Sequence, residues 1–324
     1  MNNQIPQYLW LLFAFNLLLT GCFGGTTQLV RTESQQRAES ALTRGIRAEQ
    51  KGNYQEADSL LSEALAISSS IEDDPVRTLA LINRARLHRL QHDLPAADRY
   101  SDQALVLARL VSELFAEAAH EKALVELAKG NPPQALEWAQ RSLAAEQGNQ
   151  RGACLNLASR IQLVLGNWDV AGSLARSALT ENRSAGHAEE EANSLRIMGI
   201  VARNDKKYTE GELILQEALA IDKRIGKSSK IATDLEELAM TAQRAGHVAE
   251  AARYLERASD VNLAAGRLPL ALHNRENLIE IYTQLGNLPE AATSKEVVRE
   301  LAAKIESQRG QKKSSATINP SSRP

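Results

Sequence analysis

The stretch "LGNWDVA" at residues 165–171 decides the fold, because the chain writes it again as "KGNYQEA" at 51–57, "KGNPPQA" at 129–135 and "LGNLPEA" at 285–291. Each copy holds a glycine suited to ending one helix, a short polar link, and a run that starts the next helix and reaches an alanine. A helix–turn–helix join repeated along one chain marks a stack of similar units, each burying its neighbour's apolar face.

Aligned on the last residue of the turn, seven anchors emerge: Ala57, Ala97, Ala135, Ala171, Gly211, Ala251 and Ala291, spaced 40, 38, 36, 40, 40 and 40 residues apart. Seven residues after them stand Ala64, Ala104, Ser142, Ala178, Ala218, Ala258 and Val298. Twelve before stand Gly45, Ala85, Ala123, Ser159, Gly199, Ala239 and Ile279. Small residues at these three places let two antiparallel helices approach closely. Gly52, Gly130, Gly166, Gly246 and Gly286 each fall five before an anchor, where they can cap the preceding helix. Pro95, Pro133 and Pro289 fall two before, in the first turn of the next helix, where a missing N–H costs nothing. One large ring marks the second helix of each of the first six units: Tyr54, Tyr100, Trp138, Trp168, Tyr208 and Tyr254. These rings are expected to wedge into the core between successive helices.

Composition agrees. Ala, Leu, Glu, Gln and Arg dominate, all good helix formers, and alternating β-branched runs are missing. The body is expected to be all-α. A net charge of −2 over 324 residues gives no electrostatic case for nucleic acid.

These spacings resemble the tetratricopeptide repeat family, whose helix pairs end in a G-[DN]-[YWL]-x-x-A turn, and the likeness runs over residues 35–308. It implies a right-handed α-solenoid of about seven helix-pair repeats. The usual repeat is 34 residues, so units of 40 add about one and a half helical turns each, and long repeats of this type resemble those of kinesin light chains and signalling adaptors. HEAT repeats share the period but not the triple small-residue spacing. The seventh unit departs, with Ile279, Val298 and Lys295 at small or apolar positions, as a terminal repeat facing water would. Its last helix is read as 288–308. The tail "RGQKKSSATINPSSRP" (309–324) lacks apolar periodicity and is expected to be disordered.

The other end carries a different signal. "YLWLLFAFNLLL" (8–19) is too short to span a bilayer as a helix but suits the apolar core of an export signal. It runs into Leu19-Thr20-Gly21-Cys22, which resembles the lipobox of bacterial lipoproteins, although residues 1–7 lack the usual Lys or Arg. The resemblance implies a signal peptide over 1–21, diacylglycerol on Cys22, and a tether over 22–34. A non-lipidated export signal would share the apolar run. Phe23, where an aspartate would retain a lipoprotein at the inner membrane, implies sorting to the outer membrane, facing the periplasm.

Catalytic chemistry finds no support. "GKSS" (226–229) lacks the first glycine of a phosphate loop, Ile221 standing there, and follows a helix instead of a strand. His88 and His92 have metal spacing on a helix, but the intervening "RLQ" supplies no glutamate and an arginine flanks His88, so a solvated pair is expected. Cys154 is expected to be a small buried hydrophobe. No enzyme, metal or cofactor is expected.

In the resembling family the first helix of each pair lines the concave surface. By register that face presents Arg86 and Arg89, His120, Asn156 and Arg160, then Asn193, Arg196 and Arg203, and turns acidic at Glu236, Glu276 and Glu280. Leu124, Leu127, Leu163, Ile200 and Met240 lie among them. Arginine forks and asparagine amides suit a carboxylate or an extended backbone, so an acidic or C-terminal peptide of an envelope protein is the expected partner. Solvated arginines that merely keep the groove soluble would read the same way. The whole is expected to be a lipid-anchored, non-enzymatic interaction scaffold, with a sensor of a small molecule or peptide as the alternative. Arg160 and Arg196 are both expected outside the core.

Overall fold

The computed structural model describes residues 31–318, with side chains to 308. The segment read as a signal peptide, Cys22 and the first part of the expected tether lie outside the described residues. Within them are fourteen α-helices and no strand. They run α1 (Glu33–Gln50), α2 (Tyr54–Ser70), α3 (Asp74–Leu90), α4 (Leu94–Ala108), α5 (Phe115–Ala128), α6 (Pro132–Ala145), α7 (Arg151–Val164) and α8 (Trp168–Ala185). The series continues with α9 (Ala188–Asn204), α10 (Tyr208–Arg224), α11 (Ser228–Arg244), α12 (Val248–Ala264), α13 (Leu268–Gln284) and α14 (Leu288–Ile318). A single 3-10 turn, Ser112–Leu114, precedes α5. No described helix is long and apolar enough to cross a membrane.

Local chemistry places the boundaries. Thr32 opens α1 with a full capping box, its hydroxyl accepting from Gln35 N–H while the Gln35 side chain accepts from Thr32 N–H. Asp73 and Asp93 cap α3 and α4, each followed by a proline in the first turn. At the quoted turn Gly166 takes φ +78° and Asn167 N–H reaches back 2.9 Å to Gln162 O, satisfying a carbonyl that the end of α7 would leave open. Where two units lack that glycine, the fold still demands the left-handed conformation: His92 sits at φ 61° and Lys206 at φ 63°. His92 is therefore in a turn outside α3, so it does not share a helix face with His88, whose Nδ1 lies 3.2 Å from Asp93. The "GKSS" segment is the turn between α10 and α11, with Gly226 left-handed.

The small-residue register is the core. Ala57, Ala97, Ala135, Ala171 and Ala251 are wholly or almost wholly buried, as are Ala64, Ala104, Ser142, Ala178, Ala218 and Ala258. In the fifth pair two glycines meet: a Cβ on Gly211 would lie 3.1 Å from Gly199 O, and one on Gly199 only 2.6 Å from Leu215 Cγ. Successive helices pack antiparallel throughout. The first helices also touch one another, α1 with α3, then α3 with α5, α5 with α7, α7 with α9 and α9 with α11, whereas no such row joins the second helices. The first helices thus form the inner layer of the solenoid.

Three expectations need correction. Tyr54 is 36 % exposed and only Tyr254 is fully buried among the six rings. Helices that close together at alanine leave no room to enclose a ring, so the others sit at the edges. Tyr100 lies under the Arg84 guanidinium at 4.3 Å, and Trp138 under Arg141 at 4.5 Å. The last helix does not end at 308 but continues to Ile318, no proline interrupting the chain between Pro289 and Pro320. Arg196, expected outside the core, is 7 % exposed and lies inside it.

Candidate binding groove

The concavity deepens on the inner layer where α5, α7, α9 and α11 meet, into a cavity of about 410 Å³. Five of the eight polar residues read from the sequence line it, namely His120, Asn156, Arg160, Asn193 and Arg196, together with Leu124, Leu163 and Ile200. Arg203 borders an adjoining cleft with Trp168 and Tyr208, Ile200 being common to both.

Arg86 and Arg89 do not line this cavity. Arg89 forms a two-pronged pair with buried Glu121 of the next unit, at 2.6 and 3.3 Å, and Arg86 lies 3.6 Å from the same carboxylate. Arg203 is likewise paired, to Glu237 at 2.7 Å. The acidic continuation is dispersed: Glu236 accepts from Asn274 at 2.8 Å, while Glu276 and Glu280 are exposed. Met240 is exposed outside the cavity, and Leu127 packs half-buried against the apolar cluster of Ala123, Ala135 and Ile161.

What remains available is narrower than the sequence stripe. Arg160 makes no ion pair or hydrogen bond with any described residue. It lines the concavity, where enclosure by the walls and repulsion from Arg89 lower its proton affinity. Burial, then Arg196, likewise holds Lys230 below the ordinary lysine value, and its one hydrogen bond is to Asn193 Oδ1 at 3.0 Å. Burial and the charges of Arg86, Arg160 and Arg89 push His120 down to about 4, so it is neutral at pH 7. Glu189 is matched by Lys227 at 2.7 Å, and Glu190 accepts from Asn156 at 2.8 Å. The cavity therefore pairs two incompletely matched cations with amide groups and an apolar floor.

Lys230, Glu189, Glu190, Thr233 and Glu237 line the cavity but were not read from the sequence. Their signal is the helix stripe itself. In the long units, stepping three or four residues further toward the N-terminus from Asn193 and Thr233 reaches Glu190 and Lys230 on the same face.

Beneath the cavity a pattern repeats at the joints between units. It uses the residue fifteen before an anchor, the residue eleven after it, and the residue seventeen before the next anchor. Between units four and five these are Asn156, Asn182 and Ser194, with Ser194 Oγ donating to Asn156 Oδ1 at 2.7 Å and Asn182 Nδ2 donating to Ser194 Oγ at 3.1 Å. Between five and six they are Arg196, Asp222 and Asp234, and between six and seven Glu236, Asn262 and Asn274. Asn262 Nδ2 donates to Asn274 Oδ1 at 2.8 Å. Between units two and three the same places hold Ile82, Ala108 and Ala118, all 0 % exposed. This joint is apolar, whereas the three joints from unit four onward are polar.

The fifth-to-sixth joint is the most charged. Arg196 Nε donates to Asp234 Oδ1 at 2.6 Å and its Nη2 donates to Asp222 Oδ2. Both carboxylates are 0 % exposed, and Asp222 Oδ1 and Asp234 Oδ2 have no partner. Burial, opposed by Arg196, pushes Asp234 up to about 7 and raises Asp222 as well. Cys154 occupies the place of Asp234 two joints earlier, between units three and four, 3 % exposed and 3.3 Å from Ser142 Oγ, with its thiol pushed up by burial. No cluster of three or more His, Cys, Asp or Glu able to hold a metal occurs among the described residues.

The two pairs α9–α12 that carry this joint, residues 190–264, match the family model described as tetratricopeptide repeat. Residues 190–264 are tetratricopeptide repeats. No curated protein matches it in sequence. Solved structures share the tetratricopeptide-repeat solenoid. One is a Rap protein complexed with competence and sporulation factor, 14 % identical, with a TM-score of 0.62 over 84 % of this chain and 78 % of that one. A second is a signal-transduction ATPase with numerous domains and a tetratricopeptide-repeat sensor, from Pyrococcus horikoshii, at 16 % identity, TM-score 0.61 and 85 % coverage. This chain spans only 43 % of that ATPase. A third is the apo form of the quorum sensor NprR from B. thuringiensis, 14 % identical, with a TM-score of 0.54 over 91 % of this chain and 94 % of that one.

Proposed function

We propose that this repeat protein is a non-enzymatic scaffold that holds a partner protein or peptide in the groove of units three to six. The observation that carries it is the cavity itself, where Arg160 and Lys230 stand beside Asn156 and Asn193 over Leu124, Leu163 and Ile200. A carboxylate would neutralise the two cations, and the amides suit the N–H and C=O groups of an extended chain. The ligand class that fits is an acidic or C-terminal peptide segment. The Rap neighbour was solved with competence and sporulation factor, which agrees with occupancy of a solenoid of this shape by a partner. At such low identity the likeness carries the fold alone.

The lipid anchor belongs to the same proposal. Leu19-Thr20-Gly21-Cys22 supplies the chemistry for a diacylglycerol on Cys22, and Phe23 favours the outer membrane. The partner would then be an envelope protein. A photo-crosslinking residue placed at Leu163 or Ile200 in living cells should capture one partner, whereas one at Leu213, 64 % exposed on a second helix, should not. Capture only at Leu213 would place binding on the outer face. A sensor would instead show thermal stabilisation by a small molecule.

A further inference from the structure

The joint between units five and six holds two buried carboxylates and one guanidinium, a formal excess of one negative charge. Each carboxylate spends one oxygen on Arg196 and keeps the other without a partner. An isolated buried carboxylate oxygen is costly, and two facing carboxylates relieve that cost by sharing a proton. The surroundings offer no full substitute. From α9 come Arg196 itself and the carboxylate of Glu189; from α10, Asp222; from α11, Asp234 and Lys230; and Arg160 of α7 acts on Lys230 from across the cavity. Of the described residues, Lys230 is the other cation whose charge acts on Asp222, and its hydrogen bond goes to Asn193 instead.

The same joint reaches the groove. Arg196 Nη1 donates to Asn193 Oδ1 at 2.7 Å, the atom that also receives Lys230 Nζ. Asn193, Arg196 and Lys230 all line the cavity. A change of charge under Arg196 is thus one side chain removed from the groove wall.

We propose that Asp222 and Asp234 hold one proton between them around Arg196, and that losing it loosens the α9–α10–α11 joint and draws Lys230 from the groove toward the carboxylates, making the groove proton-sensitive. The proton count is simple: the protonated joint is neutral, and the deprotonated one carries a single net negative charge in the core. The corresponding joint between units four and five, Asn156, Asn182 and Ser194, has no titratable group and gives an internal control.

The test needs no partner. Hydrogen exchange of the full chain, corrected for the intrinsic pH dependence of amide exchange, would be followed in α9–α11 and in α7–α8 from pH 5.5 to pH 8.5. Protection of α9–α11 should fall about tenfold or more between pH 5.5 and pH 7 and level off above it, while α7–α8 stays level throughout. Asp234→Asn, which keeps shape and removes the titration, should abolish the pH dependence. An infrared band of a protonated carboxyl should bleach between pH 5.5 and pH 8.5 in the wild type and be missing from that variant. If Asp234→Asn proves unstable, Asp222→Asn serves equally, since either change removes the shared proton. An α9–α11 profile that is flat in the wild type, or unchanged in both variants, overturns the proposal. Because it is read on the free protein, that failure is separate from failure of the groove to bind a partner.

Discussion

Replacing Arg196 alone and replacing its whole rung should have opposite outcomes. Arg196→Ile leaves two carboxylates, each 0 % exposed, without their common donor. Removing one partner of a buried ion pair costs about 3–5 kcal/mol, because the remaining charge is buried uncompensated. Part of that is recovered if the carboxylates take up protons, so the expected loss is about 3 kcal/mol near pH 6 and larger at pH 8. The protein itself shows what an uncharged rung looks like, with Ile82, Ala108 and Ala118 at the same three register places. The triple variant Arg196→Ile, Asp222→Ala, Asp234→Ala transplants that rung. Replacing a buried charged group by apolar side chains is often neutral or stabilising by about 1–4 kcal/mol, although the lost side-chain volume returns some of it at roughly 24 cal/mol per Å³ of cavity. The triple variant should therefore be at least about 2 kcal/mol more stable than the single one. Urea unfolding followed by helical circular dichroism measures both. A single variant within 1 kcal/mol of wild type, or a triple variant no better than the single, would refute the assignment of this joint as a charged core element.

Other outcomes follow from the same contacts. Asp234 titrates near 3.8 unfolded and about 7 folded, so the folded state keeps a proton that the unfolded chain has lost. That contribution to stability is complete below about pH 4 and is lost by pH 7, on the order of 4 kcal/mol in all; the stability difference between wild type and Asp234→Asn should follow that slope. Lys206→Gly relieves a left-handed residue at φ 63° and should stabilise by about 0.5 kcal/mol, the gain of about 1 kcal/mol in backbone energy being partly offset by unfolded-chain entropy; a lower melting temperature in this variant would contradict it. Gly199→Ala drives a methyl to 2.6 Å from Leu215 Cγ and should cost about 1–3 kcal/mol, checked by the same urea transition.

The fold was legible because its rules are local and repeated. Gly166 marks a turn, Ala171 a close approach, and seven registered copies leave one architecture. The groove was legible only as far as charges could be assigned to a face. Arg86, Arg89 and Arg203 lie near that face, but Glu121 and Glu237, each on the next unit's inner helix, neutralise them, and nothing in the local pattern of one helix shows what the next one offers. Arg196 was misread for the same reason. Asp222 and Asp234 look like ordinary solvated acids until the stacking of α9, α10 and α11 brings them together. Lys230 was missed because the stripe was stopped one turn short in units longer than the usual repeat. The length of α14 was not readable from apolar spacing, since a helix can continue without a packed face.

The claim that units three to six form a cationic binding groove is tested most directly by titrating the captured partner, or an acidic peptide from it, against the double variant Arg160→Glu with Lys230→Glu. Neither side chain forms an ion pair with any described residue, so the helical signal and melting temperature should hold. The account predicts a loss of affinity of at least about a hundredfold, as expected when two charge-assisted contacts of about 1.5 kcal/mol each become repulsive. Affinity unchanged in a folded double variant would contradict it and move the binding surface to the outer helices.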